Sequence, residues 1–228
     1  MKIKSFGCSF IFGSDLADDG YETQSYTPSK LTWPALIAEQ LSLDYECYAM
    51  PASGNLQILE NVLGQIPSSN SDDLFVIGWT WVDRFDFTDL TDSWRTLLPV
   101  DREKEAKFYY KHLHSQYRDK LTSCIHIRTA IDALTHAKIP FLMTYMDELI
   151  FERAYHTTSA LEATQKYIEP WLTNFNGKTF LDWARDNQYP ISQNWHPLEA
   201  AHSAGAMLML ENIANTMATN LQYRHQNS

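Results

Sequence analysis

The run Leu74-Phe75-Val76-Ile77-Gly78-Trp79, entered from Asp73, constrains this chain more than any other stretch. It has no polar face, so the strand it predicts must be covered on both sides, as central strands of a parallel sheet are. Helical patterns flank it. Thr32 to Leu41 reads as a helix with Thr32 as N-cap, Pro34 in the first turn and Trp33, Leu36, Ile37 and Leu41 as the buried stripe. Residues 55–66 read as a second helix, residues 107–137 as one long helix with an apolar stripe from Phe108 and Leu113 to Leu134, and residues 198–221 as a closing helix with Met217 and Leu221 among its buried positions. Ile3 to Phe6, Tyr45 to Tyr48 and Ile139 to Tyr145 supply three further strands. Strands alternating with helices predict an α/β fold, a three-layer α/β/α sandwich around a central parallel sheet. The chain reads as one domain over residues 1–228, with insertions near 80–106 and 146–178 and no internal repeat or linker. Residues 86–106 lack a clean period and read as an irregular insertion. Residues 146–178 read as a lid or second insertion, partly helical.

Composition narrows the function classes. The formal charge is −10, and no Lys/Arg stripe runs along any element, so nucleic acid is not expected as a partner. No apolar run reaches the roughly 18 residues of a membrane span. The amino terminus passes from Met-Lys directly into a strand pattern, which gives a cytoplasmic protein as the expectation. Cys8, Cys47 and Cys124 are too far apart for metal-ligand spacing and read as free thiols. His112 and His114 point different ways on a helix, so they make no metal pair. No metal or organic cofactor is expected. Most of the seven Trp, 12 Tyr and 11 Phe are expected in the core, and an excess between the main elements would suit an apolar or sugar-stacking cleft.

The chemistry gathers at one sheet edge. Gly7-Cys8-Ser9 follows the first strand, and Gly13 lies beyond it. A serine on a strand-to-helix turn is exposed on a rigid support, with backbone N–H groups able to face a developing oxyanion. Alone, Gly-x-Ser is common, and helix capping accounts for it equally well. The neighbouring Cys8 is an alternative nucleophile. Gly54 and Thr80 also fall just after predicted strands, at the carboxyl edge where open α/β sheets place their sites. Serine needs a base within hydrogen-bond reach, and that base needs an orienting acceptor. His196, in Asn194-Trp195-His196-Pro197, is the natural base. Arg84 either anchors an anionic substrate group or pairs with Asp83 or Asp86. Trp79 and Trp195 are further candidates for substrate contact. A nucleotide-binding role does not fit, because Gly7-Cys8-Ser9 with a lone Gly13 is neither a phosphate loop nor Gly-x-Gly-x-x-Gly.

Gly-x-Ser-x-x-x-Gly at Gly7–Gly13, with His-Pro-x-x-x-x-His at His196–His202, resembles the SGNH (GDSL-like) hydrolases. Trp33-Pro34-Ala35-Leu36 resembles the start of the helix that follows in that family. The resemblance spans most of the chain and implies the SGNH/flavodoxin-like fold, with Ser9 as nucleophile and His196 as base. It further implies an oxyanion hole built from the N–H groups of Ser9 and Gly54 and, at the family's Asn position, the Thr80 side chain. Two positions depart from the pattern. Thr80 and Trp81 replace the Asn-Asp of the third block, and Gln193 stands where an Asp three residues before the His is expected. Gln193 or Asp182 is the candidate to orient His196, and the implied activity is hydrolysis of a small or carbohydrate ester by a Ser9–His196 dyad. The same two departures motivate a rival, a non-catalytic ligand-binding protein on this fold.

Overall fold

The computed structural model describes residues 1–19, 27–152 and 158–226. The expected burial of Met217 and Leu221 in the closing helix lies outside the described side chains, as do residues 20–26 of the loop after Ser9. Strand β1 (Lys2–Phe6) is followed by the single helical turn α1 (Ser9–Phe12). Then come α2 (Trp33–Gln40), β2 (Asp44–Cys47), α3 (Asn55–Gln65), β3 (Leu74–Trp79), a hairpin β4 (Phe85–Thr88) and β5 (Trp94–Leu97), α4 (Lys104–His112) and α5 (Gln116–Ala137). The chain closes with β6 (Phe141–Tyr145), α6 (Ser159–Ile168), β7 (Leu172–Thr173), α7 (Phe180–Asp186) and α8 (Glu199–Gln226).

The main sheet is parallel throughout, in the order β2-β1-β3-β6-β7. β1 is in register with β3 from Ile3↔Leu74 to Phe6↔Ile77. After β1 the chain moves outward to β2, then returns across β1 to β3. The carboxyl ends of β1 and β3 therefore flank the switch point, where open α/β sheets form a crevice. Side chains of β3 alternate between two cores, which makes its unbroken apolar sequence necessary. Leu74 and Val76 join Trp33, Ile37, Phe180 and Met209 on one face. Phe75, Ile77 and Trp79 join Ile58, Val62, Ile127 and Ile131 on the other. The three layers are those that the strand and helix patterns predict.

Three elements differ from expectation. The long helix predicted over 107–137 is two, broken at Leu113–Ser115. The Ser115 hydroxyl accepts from Arg118 N–H and starts α5, while His114 Nδ1 lies 2.8 Å from Asp119 Oδ2. Phe108 and Leu113, counted into a buried stripe, are 59% and 57% exposed. The region from 80 to 106 contains the β4–β5 hairpin and the start of α4. Residues 159–173, taken for lid or insertion, form the α6 crossover and the edge strand β7, which pairs with β6. They extend the scaffold and do not roof the crevice.

Candidate active site

Ser9 opens α1 directly beyond β1. The turn needs glycine at Gly7 because Ile11 packs beneath it: a Cβ there would lie 2.6 Å from Ile11 Cγ1 and 3.0 Å from the Gly78 carbonyl. Gly13 ends the turn in the left-handed region at φ 86°, donating its N–H to the Ser9 carbonyl at 2.8 Å. That reversal sends the chain back toward the crevice. Asp15 follows, itself left-handed at φ 68°.

His196 arrives from the segment before α8. Ser192 folds this loop: its N–H donates to the His196 carbonyl at 2.8 Å, and its hydroxyl accepts from the N–H groups of Asn194 and His196 at 3.1 and 3.2 Å. Trp195 takes φ 67°, an unusual angle for a bulky residue. His196 Nε2 lies 2.9 Å from Ser9 Oγ, and its Nδ1 lies 2.8 Å from Asp15 Oδ2. An imidazole facing a carboxylate through Nδ1 carries its proton there and leaves Nε2 free to accept from the serine hydroxyl. Asp15 also accepts from Ser192 Oγ at 2.6 Å and from Asn194 Nδ2 at 3.1 Å. Burial alone would push the Asp15 carboxyl up; the hydrogen bonds from Ser192, His196 and Asn194 outweigh it and hold the group below its ordinary value.

The acceptor behind His196 is therefore neither sequence candidate. Gln193 is exposed at the tip of the loop. Asp182 lies in α7, whose cap Thr179 accepts from the Asp182 N–H at 3.2 Å and donates its hydroxyl to Asp182 Oδ2 at 2.8 Å. Asp15 was missed because it lies 181 residues from His196 in sequence and meets it only through the fold. The available signal was Gly13, which turns the chain back two residues before the first carboxylate. Cys8 is 1% exposed in the core, and it is Ser9, not Cys8, that meets the imidazole.

Gly54 and Thr80 stand at the ends that the sequence assigns them, with altered freedom. The Gly54 N–H donates to Asp86 Oδ1 at 2.9 Å, and Asp86 Oδ2 accepts from the N–H groups of Leu56 and Gln57, each at 3.0 Å. Asp86 comes from the β4–β5 hairpin, where Thr96 Oγ1 also donates to it at 2.6 Å. It caps α3 and engages the amide expected to face the oxyanion. The Asn55 side chain clamps Thr80 at both backbone groups, accepting from its N–H at 2.9 Å and donating to its carbonyl at 3.2 Å. The Thr80 hydroxyl is buried without a partner among the described residues.

The aromatic candidates separate. Trp79 is fully buried, with its Nε1 3.4 Å from Met143 Sδ, because the last position of β3 faces α5 and not the crevice. It is a core residue. Trp195 is 62% exposed beside His196, with the Arg185 guanidinium 4.7 Å from its ring. Trp81 contacts Phe10 edge-on at 5.5 Å, and Phe10 contacts the His196 ring at 5.2 Å. Arg84 forms no ion pair with Asp83 or Asp86. It donates from Nη1 to the Ser53 carbonyl at 2.9 Å and lies 4.8 Å from the Trp81 ring. His202 is buried, accepts from Trp33 N–H at 3.0 Å and so caps α2; burial drives it down to about 3. Among the described residues no group of three or more His, Cys, Asp or Glu is arranged to hold a metal ion. No helix among them is long and apolar enough to cross a membrane.

No protein-family model and no curated protein matches this sequence. Solved structures do. A member of the lipolytic protein G-D-S-L family from Veillonella parvula superposes with a TM-score of 0.52 at 12% identity, over 92% of this chain and 97% of that one. A putative lipolytic protein of the G-D-S-L family from Desulfitobacterium hafniense gives 0.51 at 10% identity, over 92% and 98%. The acetyl xylan esterase Est2A from the rumen bacterium Butyrivibrio proteoclasticus gives 0.52 at 12% identity, over 95% of this chain and 64% of that one. The chain has the fold of the G-D-S-L lipolytic proteins, a flavodoxin-like α/β/α sandwich.

Proposed function

We propose that the protein is a serine esterase of SGNH type, working through Ser9, His196 and Asp15. The observation that carries this is the continuous chain from Asp15 Oδ2 through His196 to Ser9 Oγ, at 2.8 and 2.9 Å. Ser9 Oγ attacks the ester carbonyl carbon as His196 Nε2 takes its proton. The carbonyl oxygen becomes an oxyanion. Two donors suit it: the Ser9 N–H, in the first turn of α1 where no helical acceptor exists, and the unspent Thr80 hydroxyl. His196 then returns the proton to the departing alcohol as the C–O bond breaks. A water repeats the sequence, giving the acid and restoring Ser9. Asp15 stays ionised, fixes the tautomer and stabilises the imidazolium. The fold's kinship with an acetyl xylan esterase and the exposed Trp195 favour a short acyl group on a small alcohol or carbohydrate.

The test is hydrolysis of 4-nitrophenyl acetate by the wild type, Ser9→Ala and His196→Ala. The reading expects turnover in the wild type and its loss in both variants. Equal rates in all three would contradict it. A second reading, ligand binding without turnover, rests on the Gly54 N–H being held by Asp86. Its mark would be tight retention of an acylated sugar with no product formed.

A further inference from the structure

A cavity of about 140 Å³ lies between the start of α3, the segment after β3 and the face of α5, and its Arg84 is linked to His196 through the rings of Trp81 and Phe10. Its floor is apolar, with Val82 and Phe85. Four charged side chains line it: Arg84, Asp86, Arg118 and Asp119. Three of them are matched within the protein. Asp86 is satisfied by three backbone amides and Thr96. Asp119 Oδ1 takes two hydrogen bonds from Arg118, at 3.0 and 2.6 Å, and its Oδ2 faces His114 Nδ1 at 2.8 Å. Arg84 is the remainder. Its one protein acceptor is the neutral Ser53 carbonyl; Asp83 acts on it electrostatically without forming a pair. The rest of its planar fork has no acceptor among the described residues. His126 also lines the cavity, and its Nδ1 has no partner among the described residues.

We infer that this cavity is a subsite of the Ser9 cleft that binds a carboxylate carried by the substrate, with Arg84 as its anchor. The proposal rests on the esterase reading and names the substrate class: acidic esters. The anchor is rigid, because Trp81 and the Ser53 carbonyl hold the guanidinium in place and the same Trp81 leads through Phe10 to His196. A planar monoanion matches one guanidinium fork. A phosphate dianion fits less well, since Asp86 and Asp119 border the same space.

Monomethyl glutarate, which carries one ester and one carboxylate, and its neutral counterpart dimethyl glutarate test this. In Ser9→Ala, which cannot turn the probe over, the side-chain Nε–H resonance of Arg84 is followed by NMR. Saturable shifts with the monomethyl ester and none with the dimethyl ester are expected. In the wild type, kcat/KM should favour the monomethyl ester by about tenfold or more, the scale of one charge-assisted pair. That ratio should collapse toward unity in Arg84→Gln, and Arg84→Lys, which keeps the charge without the fork, should fall between. No saturable shift, an equal shift with the dimethyl ester, or tighter binding of inorganic phosphate would overturn the proposal. Selective binding of the monomethyl ester with no hydrolysis of any ester supports the subsite and overturns only the esterase reading. The wild-type and Ser9→Ala measurements stand even if Arg84→Gln does not fold.

Discussion

Asp15 Oδ2 stands 2.8 Å from His196 Nδ1, and the two residues are joined a second time through Ser192, whose hydroxyl donates to the same carboxylate oxygen. The acid that orients the base thus comes from the turn after the nucleophile, not from the segment before the histidine. Asp15→Asn keeps the shape but withdraws the negative charge and the tautomer control. A loss in kcat of about 10³–10⁴-fold is expected in steady-state ester hydrolysis, with only a modest loss of stability near neutral pH. Gln193→Ala should retain wild-type kcat, because that side chain faces solvent.

Stability should fall on acidification through two buried histidines. Burial holds His202 down to about 3 and His126 down to about 4, while both take up protons near pH 6.5 once unfolded. Between those limits the unfolded state binds more protons, so unfolding becomes easier as pH drops from about 6.5 toward 4. Asp15 acts in the same direction lower down: its depressed folded pKa contributes stability above the ordinary carboxylate range and loses it as pH falls through the folded value. Urea midpoints at pH 7.5 and 5.0 test this. The wild type should lose stability over that interval, and His126→Leu should lose less.

Asp86 binds the hairpin to the amino end of α3 through three backbone donors, and Thr96 Oγ1 donates to it from within the hairpin. Asp86→Ala leaves those amides without their acceptor and should cost about 2 kcal/mol or more in urea unfolding. Asp86→Asn, which keeps an acceptor but no charge, should cost less.

Trp79 gives a prediction opposite to the one its sequence position suggests. Fully buried against Met143, it supports the sheet and touches no substrate. Trp79→Ala should cost about 3–5 kcal/mol through the cavity it opens. Trp79→Phe should be milder and leave KM unchanged.

The fold was legible wherever burial imposes a pattern. An apolar run such as Leu74 to Trp79 has one stable home, and the helices that must cover it announce themselves by period. The two-residue strand β7 is too short to show a period, and the break between α4 and α5 rests on Ser115, a cap hidden inside a continuous helical pattern. Of the site, Ser9 and His196 were legible because glycine and proline punctuate their turns. Asp15, Ser192 and Asn194 were not, since their partners lie across the fold. The engagement of Gly54 by Asp86 depends on where the hairpin docks, and nothing near Gly54 in sequence records that.

The most direct test of the account is intact-mass detection of a fluorophosphonate adduct on the wild type, Ser9→Ala, His196→Ala and Asp15→Asn. The account predicts one adduct on the wild type, none on Ser9→Ala or His196→Ala, and much slower labelling of Asp15→Asn. A folded wild type that stays unlabelled on prolonged exposure would contradict it, as would wild-type labelling of Asp15→Asn.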